Sequence, residues 1–181
     1  MREPTPEPVE QVVLLADDGS PIGVADKATV HGTDTPLHLA FSCHVLDAAG
    51  RILVTRRALT KAAWPGVWTN SFCGHPGPGE TIEDAVRRRA ERELGIRLDD
   101  LRAALPDFRY RAVDAGGVVE HEVCPVFAAM TADEVRGAAD EVAEWRWVDA
   151  TMLLTAVEAA PWAFSPWLTL QLPALLDQLL G

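Results

Sequence analysis

The fold is decided by residues 74–96, GHPGPGETIEDAVRRRAERELGI, in which a loop rich in Gly and Pro runs into a helix. Thr81 is a residue type that caps helices, apolar residues follow it at helical spacing, and Gly95 ends the pattern. The sequence therefore predicts a loop followed by a helix that starts after Thr81 and stops at Gly95.

This segment carries a recognisable motif, Gly74-x5-Glu80-x7-Arg88, which continues to residues 93–96, ELGI. It resembles the Nudix box, a loop and helix that binds diphosphates through metal ions. The resemblance implies an α+β fold, a Nudix-like mixed β-sheet flanked by helices. Hydrolytic members carry acidic residues where this sequence has Arg89 and Arg92, which disfavours hydrolysis.

Two charged residues of the helix, Arg89 and Glu93, share one stripe with Ile82 and Val86, the side expected to face the core. A surface salt bridge between Arg89 and Glu93 is one interpretation of an i, i+4 pair. Buried charges need partners, and a metal-bound diphosphate would supply anionic oxygens for Arg89 and a Mg²⁺ for Glu93.

The rest of the chain predicts strands on both sides of this helix. Residues 1–8 are typical of a disordered, proline-rich tail, and residues 9–181 of a single domain. Strands are predicted at 9–15, 38–46, 51–55, 108–113, 118–130 and 144–148. Residues 27–36 and 59–78 are predicted loops, 151–158 a short helix, and a last helix starts at Ser165-Pro166.

The composition narrows the classes of function. The 181 residues include three cysteines without CxxC spacing, which favours a reducing, cytoplasmic setting. We expect neither secretion nor a membrane span, because no segment is apolar enough. A net charge of −11 disfavours nucleic acid and anionic lipid as partners, so an anionic ligand needs a local basic cluster.

A candidate metal site comes from histidines and carboxylates spread over three segments. Glu120 and Glu122 lie two apart in a predicted strand, so both side chains leave on one face. Imidazole and carboxylate ligands together suit Zn²⁺, Mn²⁺, Fe²⁺ or Mg²⁺. The candidate ligands are His31, His38, His75, Glu120 and Glu122. A lone histidine is more often structural, and His44 and His121 keep that interpretation.

Three motifs together resemble type I isopentenyl-diphosphate isomerases: His31-x6-His38 followed by LAFS, residues 64–76 (WPGVWTNSFCGHP), and Glu120-x-Glu122 followed by VCPVF. The likeness runs from about Lys27 to Trp167. Three separated motifs in order are more discriminating than the Nudix box alone.

The resemblance implies a role for each matching residue. His31, His38, His75, Glu120 and Glu122 would bind a catalytic metal, Mn²⁺ or else Zn²⁺ or Mg²⁺. Cys73 and Glu122 would be the acid–base pair, with Tyr110 hydrogen-bonded to the acid and Trp167 facing a cationic intermediate. Lys27, Arg57, Lys61 and Arg89 would clamp the diphosphate of a small isoprenoid substrate. Glu93 would hold a diphosphate-bridging Mg²⁺, one per subunit, with Cys73 also in the metal-binding set.

The chemistry implied by the resemblance suits these residue types. An alkene is a very weak base, so its protonation needs a strong acid fixed in place. Cys73 is plausible as a thiolate, because metal and cationic groups lower thiol pKa. An indole face stabilises a desolvated cation by about 2 kcal/mol. The other tryptophans are more often packing residues, and Cys43 and Cys124 are interpreted as inert.

Two other functions stay open. A Nudix diphosphohydrolase would release phosphate, although Arg89 and Arg92 argue against it. A non-catalytic metal- or diphosphate-binding protein would not need Cys73 or Glu122. The metal's identity, the acid and base roles in each direction, and the choice between monomer and homodimer do not follow from the sequence.

Overall fold

The computed structural model describes residues 10–180 of the chain. The predicted tail at residues 1–8 lies outside the described residues, as does Val9 of the first predicted strand. The single domain predicted for residues 9–181 stays a prediction.

Two mixed β-sheets form the centre of the fold, and helices flank them. One sheet has the order β2-β1-β3-β10-β9, and the other has the order β12-β5-β4-β11-β8, with β6 pairing with β5 and β7 with β4. This architecture confirms the predicted α+β class. The strands are β1 (Gln11–Leu15), β2 (Pro21–Asp26), β3 (His38–Leu39), β4 (Phe41–Leu46), β5 (Ile52–Arg57), β6 (Trp68–Thr69), β7 (Phe72–Gly74), β8 (Asp99–Leu105), β9 (Arg109–Val113), β10 (Val119–Val123), β11 (Val126–Met130) and β12 (Val142–Val148). The helices are α1 (Lys27–Val30), α2 (Ile82–Leu94), α3 (Ala150–Ala159) and α4 (Pro166–Leu180).

Two segments of the chain contribute a strand to each sheet. The strands predicted at 38–46 and 118–130 as unbroken are each divided, into β3 and β4 and into β10 and β11. Pro125 lies in the second break and has no N–H to donate to a neighbouring strand. The two segments run parallel, with Glu122 opposite His38 in one sheet and Val126 opposite Ser42 in the other. The break therefore changes the sheet without changing the alignment of the two segments.

Helix α2 has the predicted ends. The Thr81 hydroxyl accepts from the Asp84 N–H at 3.2 Å, and Gly95 ends the helix with a left-handed φ of 64°. Its buried face joins the larger core, which includes Phe41, Phe72, Val86, Leu94 and Phe127. A second core lies between α3, α4 and β5 and includes Ile52, Val54, Leu168 and Leu172.

Two residues of the Nudix-box motif hold the loop before α2. Arg88 donates from Nε and Nη2 to the two carboxylate oxygens of Glu80 at 2.7 and 2.8 Å. Glu80 also accepts from the Gly77 N–H at 2.8 Å. Glu80 and Arg88 therefore fix the turn that leads from β7 into the helix.

The sequence missed two strands, β2 and β8, which form edges of their sheets. An edge strand pairs on one side only. Strands β2 and β8 are largely exposed, and neither has a clear apolar pattern.

The predicted loop at 27–36 contains the single turn α1, which Asp26 caps by accepting from the Ala28 N–H at 2.9 Å. The predicted loop at 59–78 contains the short strands β6 and β7. None of the described helices is both long and apolar enough to span a membrane.

Candidate active site

Three imidazoles and one carboxylate converge at the end of β3 and β10. One potential ligand atom from each of His31, His38, His75 and Glu122 lies within 4.8 Å of all the others. His75 Nε2 is 3.3 Å from His38 Nε2 and 3.2 Å from Glu122 Oε1. His31 follows α1, His75 follows β7, and the register of β3 with β10 puts His38 beside Glu122.

These residues fit a divalent metal ion. His38 Nε2 and His75 Nε2 face each other at 3.3 Å and cannot both carry a proton, so at least one of them presents a lone pair. His38 Nδ1 lies 2.9 Å from the Pro36 carbonyl oxygen, and donating its proton there leaves Nε2 as a lone-pair ligand. The imidazole and carboxylate set suits Mn²⁺, Zn²⁺ or Mg²⁺.

The fifth predicted ligand, Glu120, borders this group without belonging to the four converging residues. Its Oε2 lies 3.1 Å from His31 Nε2. Burial, followed by the charge of Glu122, raises the pKa of Glu120. The structure thus brings all five predicted ligands together, with Glu120 at the edge.

Glu122 also has a second partner, Tyr110. The phenol of Tyr110 donates to Glu122 Oε2 at 3.0 Å. Burial alone would raise the pKa of Glu122, but its contacts with His38 and His75 outweigh burial and hold the pKa well below its usual range. Burial, and then the Glu122 charge, raises the pKa of Tyr110, which therefore remains a hydrogen-bond donor.

Cys73 lies on β7 and lines a cavity together with His75 and Glu122. Its sulfur is 3.3 Å from Asn70 Oδ1 and 3.3 Å from Ser42 Oγ. Burial raises the pKa of the Cys73 thiol to about 12, which outweighs the opposing charge of Arg57. The protein groups alone therefore favour the protonated thiol, and the thiolate expected beside a metal ion stays a prediction.

The four predicted cations line this one cavity, whose volume is about 200 Å³. Lys27 donates to Glu10 at 2.5 Å, and Arg57 donates from Nη2 to the Ala63 carbonyl at 2.9 Å. Glu141 pairs with Lys61 and, at 3.2 Å, with Arg89. The cations predicted to clamp an anion thus converge, and three of them contact an acidic side chain of the protein.

Arg89 and Glu93 form an ion pair on α2, but not at the surface. Only 5% of Arg89 and 6% of Glu93 is exposed, so the surface interpretation of this pair is wrong. Burial raises the pKa of Glu93 in spite of the Arg89 charge. Arg89 Nε has no hydrogen-bond partner among the described residues, as expected of a group that meets a ligand.

The aromatic rings of Tyr110 and Trp167 also line the cavity. Trp167 starts α4, meets Trp64 edge-on with ring centroids 5.4 Å apart, and lies 5.7 Å from the Tyr110 ring. The Arg57 guanidinium stands 5.4 Å from the centre of the Trp167 ring. Among the other tryptophans, Trp145 and Trp147 pack on the core, and Trp162 is 83% exposed.

Sequence reasoning missed two residues of the site. Glu141 pairs with two of the cations, yet no motif surrounds it. Asn70 lies inside the quoted segment TNSFCGHP without an assigned role, and its Oδ1 accepts from Trp167 Nε1 at 2.9 Å and from the Cys73 sulfur. Its position three residues before Cys73 was the feature of the sequence that could have indicated a contact with the sulfur.

Comparison with known proteins identifies the class to which this fold and site belong. The model of the family described as NUDIX domain matches residues 36–168. A crystal structure of a protein from Deinococcus radiodurans superposes with a TM-score of 0.71 over 91% of this chain and 98% of that chain, at 17% identity. The fold is that of a NUDIX-domain protein.

Closer relatives identify the family within that class. The isopentenyl-diphosphate Delta-isomerase of Leifsonia xyli subsp. xyli is 71% identical over 93% of this chain and 92% of its own length. The enzyme of the same name from Clavibacter michiganensis subsp. michiganensis is 65% identical over 94% of this chain and 88% of its own. The chain belongs to the isopentenyl-diphosphate Delta-isomerase family, as its three motifs predicted.

Proposed function

We propose that this chain interconverts isopentenyl and dimethylallyl diphosphates, a step of isoprenoid biosynthesis. The observation that carries the proposal is a single cavity lined by Cys73, Glu122 and four cations. The names of the relatives support the same reaction. A proton is added to the terminal CH₂ of the alkene and another is removed from the carbon two atoms away, so the formula does not change.

The cationic end of the cavity binds the diphosphate. Lys27, Arg57, Lys61 and Arg89 form a local basic cluster in a chain of net charge −11. In the substrate complex, phosphate oxygens replace acidic side chains such as Glu141 as the partners of these cations. Arg89 is buried on α2, which limits the positions its side chain can take.

Divalent ions belong to this proposal. His31, His38, His75, Glu120 and Glu122 would hold one ion, for which Mn²⁺ is proposed, with Zn²⁺ or Mg²⁺ as alternatives. Glu93 would hold a Mg²⁺ at the diphosphate, one per subunit, with Cys73 nearby in the metal-binding set. When bound, the ions supply positive charge that neutralises phosphate oxygens and increases the acidity of adjacent groups.

Cys73 and Glu122 are the proposed acid–base pair at the alkene. Tyr110 donates to one oxygen of Glu122 and fixes the carboxyl group in the cavity. Burial raises the pKa of the Cys73 thiol, so the protein groups alone favour a proton on the sulfur, and a bound ion would lower that pKa. One group protonates a carbon and the other removes a proton, and the two roles exchange when the reaction runs in reverse.

Trp167 is proposed to stabilise the positive charge that develops on the substrate. Its ring lines the cavity beside Tyr110 and Cys73, and Trp64 packs against its edge. An aromatic face contributes about 2 kcal/mol to a desolvated cation. The same rings exclude water, which would otherwise capture the cation as an alcohol.

A cytoplasmic location is proposed as well. All three cysteines fall within the described residues and are free. Free thiols are typical of proteins in a reducing compartment.

The test is isomerisation of isopentenyl diphosphate in D₂O with Mg²⁺ and Mn²⁺. We expect deuterium in dimethylallyl diphosphate, and a loss of at least about 10³-fold in Cys73→Ala and Glu122→Gln. Cys43→Ala and Glu83→Gln, a buried thiol and an exposed carboxylate away from the cavity, are matched controls that keep activity. Release of phosphate would favour a diphosphohydrolase, and tight binding without turnover would favour a non-catalytic binding protein.

A further inference from the structure

A chain of buried polar side chains lies behind Cys73, and none of its members lines the cavity. His44, Gln171 and Ser42 are all fully buried, with 0% exposed. His44 Nε2 lies 3.1 Å from Gln171 Oε1, Gln171 Nε2 lies 2.9 Å from Ser42 Oγ, and Ser42 Oγ lies 3.3 Å from the Cys73 sulfur. The chain thus connects helix α4 to the reactive sulfur.

The direction of these hydrogen bonds follows from His44. Nδ1 of His44 has no hydrogen-bond partner among the described residues, so the proton of the neutral ring belongs on Nε2, where it can be donated to Gln171 Oε1. Gln171 then donates from Nε2 to Ser42 Oγ. The hydroxyl proton of Ser42 is left to point at sulfur, with Cys73 at 3.3 Å and Cys124 at 3.4 Å.

Helix α4 reaches Cys73 by a second route. Trp167, one helical turn before Gln171, donates from Nε1 to Asn70 Oδ1 at 2.9 Å, and the Cys73 thiol donates to the same oxygen at 3.3 Å. Both hydrogen-bond partners of the sulfur, Asn70 and Ser42, are therefore held by side chains on one face of α4. Hydrogen bonds between buried side chains, as in this network, favour a single geometry.

We infer that Gln171 is a positioning residue for catalysis, which through Ser42 fixes the direction in which the Cys73 sulfur faces the substrate. The helix that carries the Trp167 ring thereby also holds the thiol, so the cation-facing ring and the sulfur keep a constant separation. This inference rests on the proposed isomerase function. A purely structural role, in which Gln171 and His44 only dock α4 on β4, is the alternative that the experiment excludes.

The experiment compares Gln171→Met, Ser42→Ala and the double variant with the unmodified protein. Met has nearly the size of Gln but makes neither hydrogen bond, and Ser42→Ala removes a single oxygen atom. Ser71→Ala is the matched control, because its buried hydroxyl donates to the Leu53 carbonyl at 2.7 Å and does not line the cavity. We expect kcat to fall about tenfold in Gln171→Met and in Ser42→Ala, with KM changed less than about twofold. The control keeps kcat.

The double variant decides whether Gln171 acts through Ser42. If it does, kcat of the double variant equals that of Ser42→Ala alone, while independent roles make the two losses multiply. Multiplied losses, or a kcat that stays within about twofold of the unmodified value, overturn the inference. If Gln171→Met fails to fold in a urea titration, Ser42→Ala, which keeps the pair of Gln171 with His44, carries the same expectation.

A second readout does not require turnover. Alkylation of Cys73 by iodoacetamide at one pH is followed by mass spectrometry, with the buried thiol of Cys43 as the internal reference. We expect the rate at Cys73 to fall about threefold in Gln171→Met and Ser42→Ala, since the hydroxyl no longer orients the sulfur. An unchanged alkylation rate overturns the inference, whether or not the protein isomerises its substrate. Absence of isomerisation by the unmodified protein is a different result, and it refutes the proposed function.

Discussion

Tyr110 and Glu122 stand directly opposite each other on the antiparallel neighbours β9 and β10, and the phenol donates to Glu122 Oε2 at 3.0 Å. The other carboxylate oxygen, Oε1, faces the imidazoles of His75 and His38. The register of one strand pair thus gives each carboxylate oxygen of Glu122 a separate partner.

We expect Tyr110→Phe to lower kcat about tenfold and to leave KM for isopentenyl diphosphate unchanged, because it removes one hydrogen bond to Glu122 of the proposed acid–base pair. The Phe ring keeps the packing against Trp167, so the change reports on the hydroxyl alone. Steady-state kinetics at constant metal concentration measures both constants. An unaffected kcat would show that the phenol does not support Glu122.

His38→Gln is expected to weaken Mn²⁺ binding at least about tenfold, since one of three imidazoles is lost from the cluster. Calorimetric titration of the chelator-treated protein measures this without turnover. The control is His121→Gln, on the same strand as Glu122 but outside the converging group. Equal Mn²⁺ affinity in His38→Gln and His121→Gln would show that His38 is not a metal ligand.

Glu141→Gln is expected to lower KM for isopentenyl diphosphate about threefold at low ionic strength, because the carboxylate now pairs with Lys61 and Arg89 and competes with phosphate. The difference shrinks as salt is added. Asp140→Asn, which removes the neighbouring acid that pairs with Arg92, is the control and leaves KM unchanged. A rise in KM would instead mean that Glu141 holds the two cations in place for the substrate.

Stability is expected to fall in mild acid because of His44. Burial lowers the pKa of His44 from 6.5 to about 4. Between these values the unfolded chain binds a proton at this ring and the folded chain does not, so the free energy of unfolding decreases as pH falls from about 6.5 towards 4, by about 2 kcal/mol at pH 5.

Urea unfolding at pH 7 and pH 5 measures this contribution. His44→Gln places an amide nitrogen where Nε2 lies and cannot titrate. The difference in pH dependence between the two proteins isolates the His44 contribution from that of the carboxylates. Parallel curves for the two proteins would contradict the prediction.

Gly74→Ala is expected to destabilise the fold by about 2 kcal/mol. A Cβ at this position would stand 2.7 Å from Phe41 Cζ and 2.9 Å from Arg89 Cγ, closer than packed atoms approach. Gly77→Ala is the control, since its nearest neighbour would be Glu80 Oε2 at 3.6 Å. Unfolding by urea measures both, and equal stabilities would mean that Phe41 and Arg89 move aside at little cost.

Local patterns predicted much of the fold. Thr81 and Gly95 define the ends of α2, and the stripe that contains Arg89 and Glu93 correctly predicted that both are buried. The edge strands β2 and β8 were missed, because an edge strand in contact with solvent does not need the apolar residues from which strands are predicted.

The candidate site was predictable where motifs carry it. Every predicted site residue except His38 lines the cavity, and His38 contacts His75 and Glu122 just behind it. Contacts between distant segments left no local signal: Gln171 and Ser42 are 129 residues apart, and Glu141 and Arg89 are 52 apart. The elevated pKa of Cys73 was also unforeseen, since burial is a property of the folded packing.

The parallel segments that carry a strand in each sheet make this enzyme intolerant of changes in length. The pairing that puts Glu122 beside His38 continues across the break to put Val126 beside Ser42. Inserting or deleting one residue at Ala40 would rotate Ser42 away from the Cys73 sulfur or His38 away from Glu122, since a shift of one residue turns a strand over. Single substitutions between these residues can be tolerated, whereas the number of residues between His38 and Ser42 has to stay constant if the proposed metal ligands and the thiol are to serve one reaction.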